Sequence, residues 1–128
     1  MFRFPLRAAR SFAVMAVGAL VLAPPAPTHA QGAKIATCQV YSERKLVYNG
    51  RCRFTPEEGG SFTIEHADPK RTVFYGEIMS ITVSLVSPGT AEVRGLTRQG
   101  VNSRWGRAQR SNDDRSCWEG SDFKICAR

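Results

Sequence analysis

Two hydrophobic patterns divide the chain. Residues 11–23 form an almost uninterrupted apolar run, preceded by Arg3, Arg7 and Arg10 with no acid among them. From residue 31 onward apolar and polar positions alternate in short runs, and no stripe of 3.6-residue period extends over a useful length. Alternation sends successive side chains to opposite faces of a pleated strand, so the second pattern predicts antiparallel β structure. Its clearest instance is Ile78–Val86, with Met79, Ile81, Val83 and Leu85 on one side and Ser80, Thr82 and Ser84 on the other. Further strands are expected at Ile35–Tyr41, Lys45–Phe54, Ser61–His66, Ala91–Thr97, Arg104–Arg110, Arg115–Glu119 and Phe123–Ala127. Pro56–Gly60, Ser87–Thr90 and Ser111–Asp114 are the turns between them, and Asp68–Arg71 is a turn leading into Thr72–Gly76.

The first pattern has the order of a secretory signal, charged and then apolar. Its 13 apolar-run residues would span roughly 20 Å as a helix, short of the ~30 Å hydrocarbon core of a bilayer. Pro24-Pro25-Ala26-Pro27 breaks any helix there, and Thr28-His29-Ala30 fits the signal-peptidase pattern with cleavage before Gln31. The expected organisation is a signal peptide over residues 1–30 and one exported β domain over 31–128, a small antiparallel barrel or sandwich. A chain of that size holds an adequate but modest core, which cross-links would help.

Cys38, Cys52, Cys117 and Cys126 supply two. Their spacing lacks the Cys-x-x-Cys knuckles of zinc or redox sites, so disulfides are expected and a metal is not. Cys38 can meet Cys52 across a hairpin turning near Ser42–Lys45, although Asn49-Gly50 is a competing turn signal. Closing that loop would stabilise the fold by about 3 kcal/mol on the chain-entropy model. For the other two cysteines, a two-residue loop at Ser121-Asp122 sets Trp118 against Ile125 and Cys117 directly against Cys126. The preferred connectivity is therefore Cys38–Cys52 and Cys117–Cys126.

The C-terminal Arg104-Trp105-Gly106, followed by Cys117-Trp118-Glu119-Gly120-Ser121-Asp122-Phe123-Lys124-Ile125-Cys126-Ala127, resembles a group of small exported alphaproteobacterial proteins without an assigned function. The resemblance implies a periplasmic or secreted β domain and carries over no catalytic residue.

Composition adds little chemistry. Beyond the signal there is one histidine, His66, near Glu65 and Asp68. Small exported ribonucleases use Glu, His and Arg on a sheet, but they also pack a helix on it, and no such helix is visible here. The serines lack an activating partner, and the cysteines are spent in bonds. Periplasmic lysozyme inhibitors are similar in size and architecture, yet a basic chain would be repelled by a cationic lysozyme.

Charge is the remaining signal. The whole chain has a formal net charge of +7. Residues 1–30 hold three of its 18 basic residues and none of its 11 acidic ones, so the exported part carries a formal charge of +4. Arg94, Arg98, Arg104, Arg107, Arg110 and Arg115 crowd one segment, with Trp105 inside it. Guanidinium forks grip phosphate and carboxylate, and an indole stacks on sugars or bases. The competing reading is a solvated strand face, and in a regular strand Arg104, Arg107 and Arg110 cannot all share a side. The sequence thus points to a non-enzymatic envelope domain without a cofactor. It is expected to bind an anionic polymer or a protein partner through Arg98, Arg104, Trp105, Arg107, Arg110 and Arg115, with nucleic acid disfavoured and assembly state open.

Overall fold

The alternating runs close on one another in a computed structural model that describes Ser11, residues 13–23 and residues 32–128. Arg3, Arg7 and Arg10 of the expected signal, and its expected cleavage site, lie outside the described residues. Residues 13–23 are exposed and carry no regular structure, and no helix among the described residues is long and apolar enough to cross a membrane.

Eight strands follow in order: β1 (Lys34–Ser42), β2 (Lys45–Pro56), β3 (Phe62–His66), β4 (Ile78–Ser87), β5 (Thr90–Thr97), β6 (Asn102–Arg110), β7 (Cys117–Gly120) and β8 (Phe123–Ala127). Each pairs antiparallel with the next, and β8 pairs back onto β1, so the sheet is a closed barrel rather than a sandwich. Up-and-down topology gathers the turns at residues 43–44, 98–101 and 121–122 with the loop 67–77 at one end, here called the mouth. The 57–61, 88–89 and 111–116 connections and both strand termini lie at the other end, the base.

An eight-stranded barrel has an interior just wide enough for side chains to fill. Here it is filled by Val40, Ile64, Ile81, Val83, Val93 and Ile125, all fully buried, with Phe62, Trp118 and Phe123 around them. Burying each such side chain stabilises the fold by roughly 1.5–3 kcal/mol. In β4 the expected alternation holds from Ser80 to Leu85, with Ile81 and Val83 buried and Ser80, Thr82 and Ser84 on the outer face, but a register shift between Ile78 and Ser80 sets Ile78 rather than Met79 against the core.

Both disulfides have the expected connectivity. Cys38 and Cys52 lie in the barrel interior with no exposure. Their bridge runs diagonally, because Cys38 stands opposite Gly50 and Cys52 opposite Ala36, two small residues that leave room for the sulfurs. The turn that allows it is Glu43-Arg44, both at positive φ, and β2 runs straight through Asn49-Gly50. Cys117 and Cys126 stand directly opposite one another, as do Trp118 and Ile125, so the register expected from a two-residue loop is the one formed. Trp118 points into the core, whereas this second bridge lies on the outer face. It is nonetheless buried beside the 111–116 connection, where Ser116 Oγ lies 3.9 Å from Cys117 Sγ. Two buried disulfides indicate an oxidising, extracytoplasmic environment.

Two further sequence expectations change. Unbroken alternation along Lys45–Phe54 would put Leu46 on the inner face with Tyr48, but a bulge after Val40 inserts Val47, so Leu46 pairs with Tyr41 on the outer face and the partly exposed Val47 borders the mouth. Thr72–Gly76 adds no strand beyond a single bridge from Tyr75 to Ile78. Phe74 instead packs into the core 4.4 Å from the Tyr48 ring, and Tyr75 lies against both, so the loop covers part of the mouth with aromatic rings.

At the base, Asp114 gathers several groups. Its carboxylate accepts from the Ser116 hydroxyl and backbone amide and from Arg128, which also donates to Gln39 on β1. The Ser116 bonds, with Arg128 behind them, hold the Asp114 carboxyl below its usual value of 3.8. A depressed folded-state value contributes stability above the unfolded value, lost as pH falls through the folded one. Between about pH 5 and about pH 2, wild-type protein is therefore expected to lose more of its urea midpoint than Asp114→Asn does. Replacing Cys38 and Cys52 together by Ala is expected to lower the unfolding free energy by about 3 kcal/mol, read from urea denaturation.

Candidate functional site

Sequence reasoning forbade Arg104 and Arg107 from sharing a face, and a local irregularity lifts the objection. β5 and β6 pair Val93 with Gly106 and Arg94 with Arg104, which leaves Trp105 as an extra residue in a bulge. Gly106 adopts φ 111, a conformation that side-chain-bearing residues rarely reach. The shifted register puts Arg104 opposite Arg94 and Arg107 opposite Glu92, all on the outer wall beside Thr82 and Ser84 of β4.

This wall is electrostatically incomplete. Arg104 Nε is bound by Glu92, but Arg94 and Arg104 are paired in register across β5 and β6, a like-charge pairing that costs stability. Among the described residues neither Arg94 nor Arg107 has an ion-pair partner. Arg94 belonged to the arginine run but not to the candidate binding set, and the structure brings it to the centre of the wall.

The other candidates are dispersed. Arg98 is exposed in the turn at the mouth. Arg110 stands opposite Trp118 at the base, its guanidinium carbon 5.3 Å from the centre of that ring and its Nε donating to the Arg115 carbonyl at 2.8 Å. Arg115 itself is exposed in the base connection. Trp105 turns inward, so it offers no outer stacking platform beside the arginines. Its ring lies over Gly95 and 5.7 Å from Phe123, edge to face.

His66 and Glu65 do not combine. Glu65 lies on the outer face within 3.5 Å of Arg53, while His66 stands opposite Cys52 and its Nδ1 accepts from the Asp68 amide at 2.9 Å. Among the described residues no group of three or more His, Cys, Asp or Glu is placed to hold a metal ion.

Two hollows flank the Ser121-Asp122 turn. One, of about 590 Å³, lies outside the seam between β1 and β8, bordered by Tyr41, Glu43, Arg44 and Lys124, whose Nζ sits 4.5 Å from the Tyr41 ring centre. The other, of about 470 Å³, opens at the mouth between Trp105, Phe123, Tyr75 and Arg104. Compared with protein-family models, with curated proteins and with solved structures, the chain matches none.

The aromatic corner of the mouth depends on two glycines. A Cβ on Gly95 would lie 2.8 Å from three atoms of the Trp105 indole, and one on Gly120 would run into the Phe123 ring. Gly95→Ala is therefore expected to displace the indole and destabilise the barrel by roughly 1–3 kcal/mol, seen as a lower urea midpoint with an unchanged slope.

Proposed function

We propose that the protein is an exported, non-enzymatic domain of the cell envelope that binds an anionic polymer, such as an acidic glycan or lipopolysaccharide, through Arg94, Arg104 and Arg107. The observation that carries this reading is the bulge at Trp105-Gly106, which gathers those three guanidinium groups on one outer wall. The like-charge pairing of Arg94 with Arg104 is a cost to the free protein that a carboxylate or phosphate laid across the wall would relieve, with bidentate bonds added. Neighbouring Thr82 and Ser84 supply hydroxyls suited to a hydrated polymer. Export rests on the charged and apolar segment before residue 31 and on the two disulfides. Periplasmic or secreted destinations both agree with it.

Exposed charges separated by water bind in a salt-sensitive way, so the test is elution from immobilised heparin and lipopolysaccharide. Wild-type protein is expected to elute at clearly higher salt than a variant with Arg94, Arg104 and Arg107 changed to Ser. A control with Lys34, Lys45 and Arg51 changed to Ser loses the same charge from β1 and β2 and is expected to elute close to wild type. Equal elution of the two triple variants would return the wall to a solvated face.

A further inference from the structure

We propose that the cavity at the barrel mouth is a binding site for a small aromatic carboxylate, distinct from the outer wall although it shares Arg104 with it. A regular strand sends successive side chains to opposite faces, so a guanidinium and the indole next to it in sequence cannot border one hollow. The bulge in β6 removes that restriction, and Arg104 and Trp105 both line the cavity of about 470 Å³. Its volume falls within the range of small-molecule sites, which combine apolar and aromatic walls with few polar groups.

The walls suit a flat ring. Trp105 and Phe123 meet at 65° and form a corner into which a third ring can pack edge-on or stacked. Tyr75, Ile78 and Val40 continue the apolar lining. Burial raises the Tyr75 phenol to about 12, so its hydroxyl stays protonated at neutral pH. The two glycines, Gly95 and Gly120, let the Trp105 and Phe123 rings lie against the backbone at the mouth, where larger residues would displace them.

The polar groups set the charge of the ligand. Glu92 binds the Arg104 Nε, and Arg104 is the cationic residue among those that line the cavity. A carboxylate on the ring meets it in a charge-assisted pair. Asp122, on the opposite turn, also borders the cavity and has no ion-pair partner among the described residues. Its carboxylate opposes an anion, so the ligand must bring its charge to the Arg104 side.

The test uses indole-3-acetate and its uncharged amide as probes, with calorimetry and the two indole N–H signals of the oxidised protein as readouts. Indole-3-acetate is expected to bind one to one, at least tenfold more tightly than the amide, and to shift the Trp105 signal while leaving that of Trp118 in place. Arg104→Gln is expected to erase the preference for the acid while still binding the amide, which shows that the cavity remains formed. Asp122→Asn is expected to tighten acid binding a few-fold. Arg94→Ser with Arg107→Ser is expected to weaken heparin retention and leave the probe unaffected, so this site and the outer wall succeed or fail separately. Equal affinity for acid and amide in the wild type, a shift at Trp118 instead of Trp105, or no saturation at millimolar probe would each overturn the proposal.

Discussion

Everything in the molecule depends on β1 finding β8. The seven other pairings join strands that are neighbours in sequence, whereas this one brings Val40 against Ile125 and Tyr41 against Lys124 from the two ends of the domain. Until it forms, the sheet has two open edges and its inner face has no far wall to pack against. The disulfides flank that seam without crossing it. One ties β1 to β2 and the other ties β8 to β7, and Gln39 stands opposite Cys126 across the closure. Each edge strand therefore meets the other as part of a stiffened hairpin, and the entropy lost on closing the barrel is smaller than for two free strands. The reciprocal backbone bonds between Thr37 and Arg128 extend the seam to its base.

Closure also dictates where the charge goes. Inward positions admit only side chains that fit among Ile64, Ile81, Val93 and their neighbours, so the basic residues are pushed outward or to the two ends. Bulges then decide how they are grouped. The one in β2 leaves Leu46 outside and sets Val47 at the rim of the mouth, and the one in β6 sets Arg104 in line with Arg107 while turning Trp105 toward the interior. A single inserted residue thus links the outer wall to the mouth, and Arg104 borders both.

Much of this was legible in the chain because it is local. A two-residue loop leaves one register, and so Ser121-Asp122 identified Cys117–Cys126 and the partnership of Trp118 with Ile125. The Ser and Thr positions of β4 mark its outer face by simple alternation. The choice between barrel and sandwich was not legible, since it turns on one pairing between residues far apart in sequence. Nor were the bulges, whose energies depend on backbone geometry and not on polarity. Gly106, a glycine within a strand-like run and next to an aromatic residue, was the available sign of the second one. The mouth was missed for another reason. Val73, Phe74 and Tyr75 form a short apolar run that reads as a strand segment, but the short β3 leaves a long loop before β4, and from that loop Phe74 and Tyr75 pack against Tyr48 and the core instead of extending the sheet.

The concealment of all four sulfurs sets an order of events during biogenesis. Cys38 and Cys52 have no exposure in the finished barrel, and Cys117 and Cys126 retain 3% and 1%. A thiol oxidase cannot reach any of them once the walls are shut, and neither can a soluble reductant. Oxidation therefore belongs to the period when each hairpin is still open, and once the barrel is sealed its cross-links outlast swings in the redox poise of the surroundings.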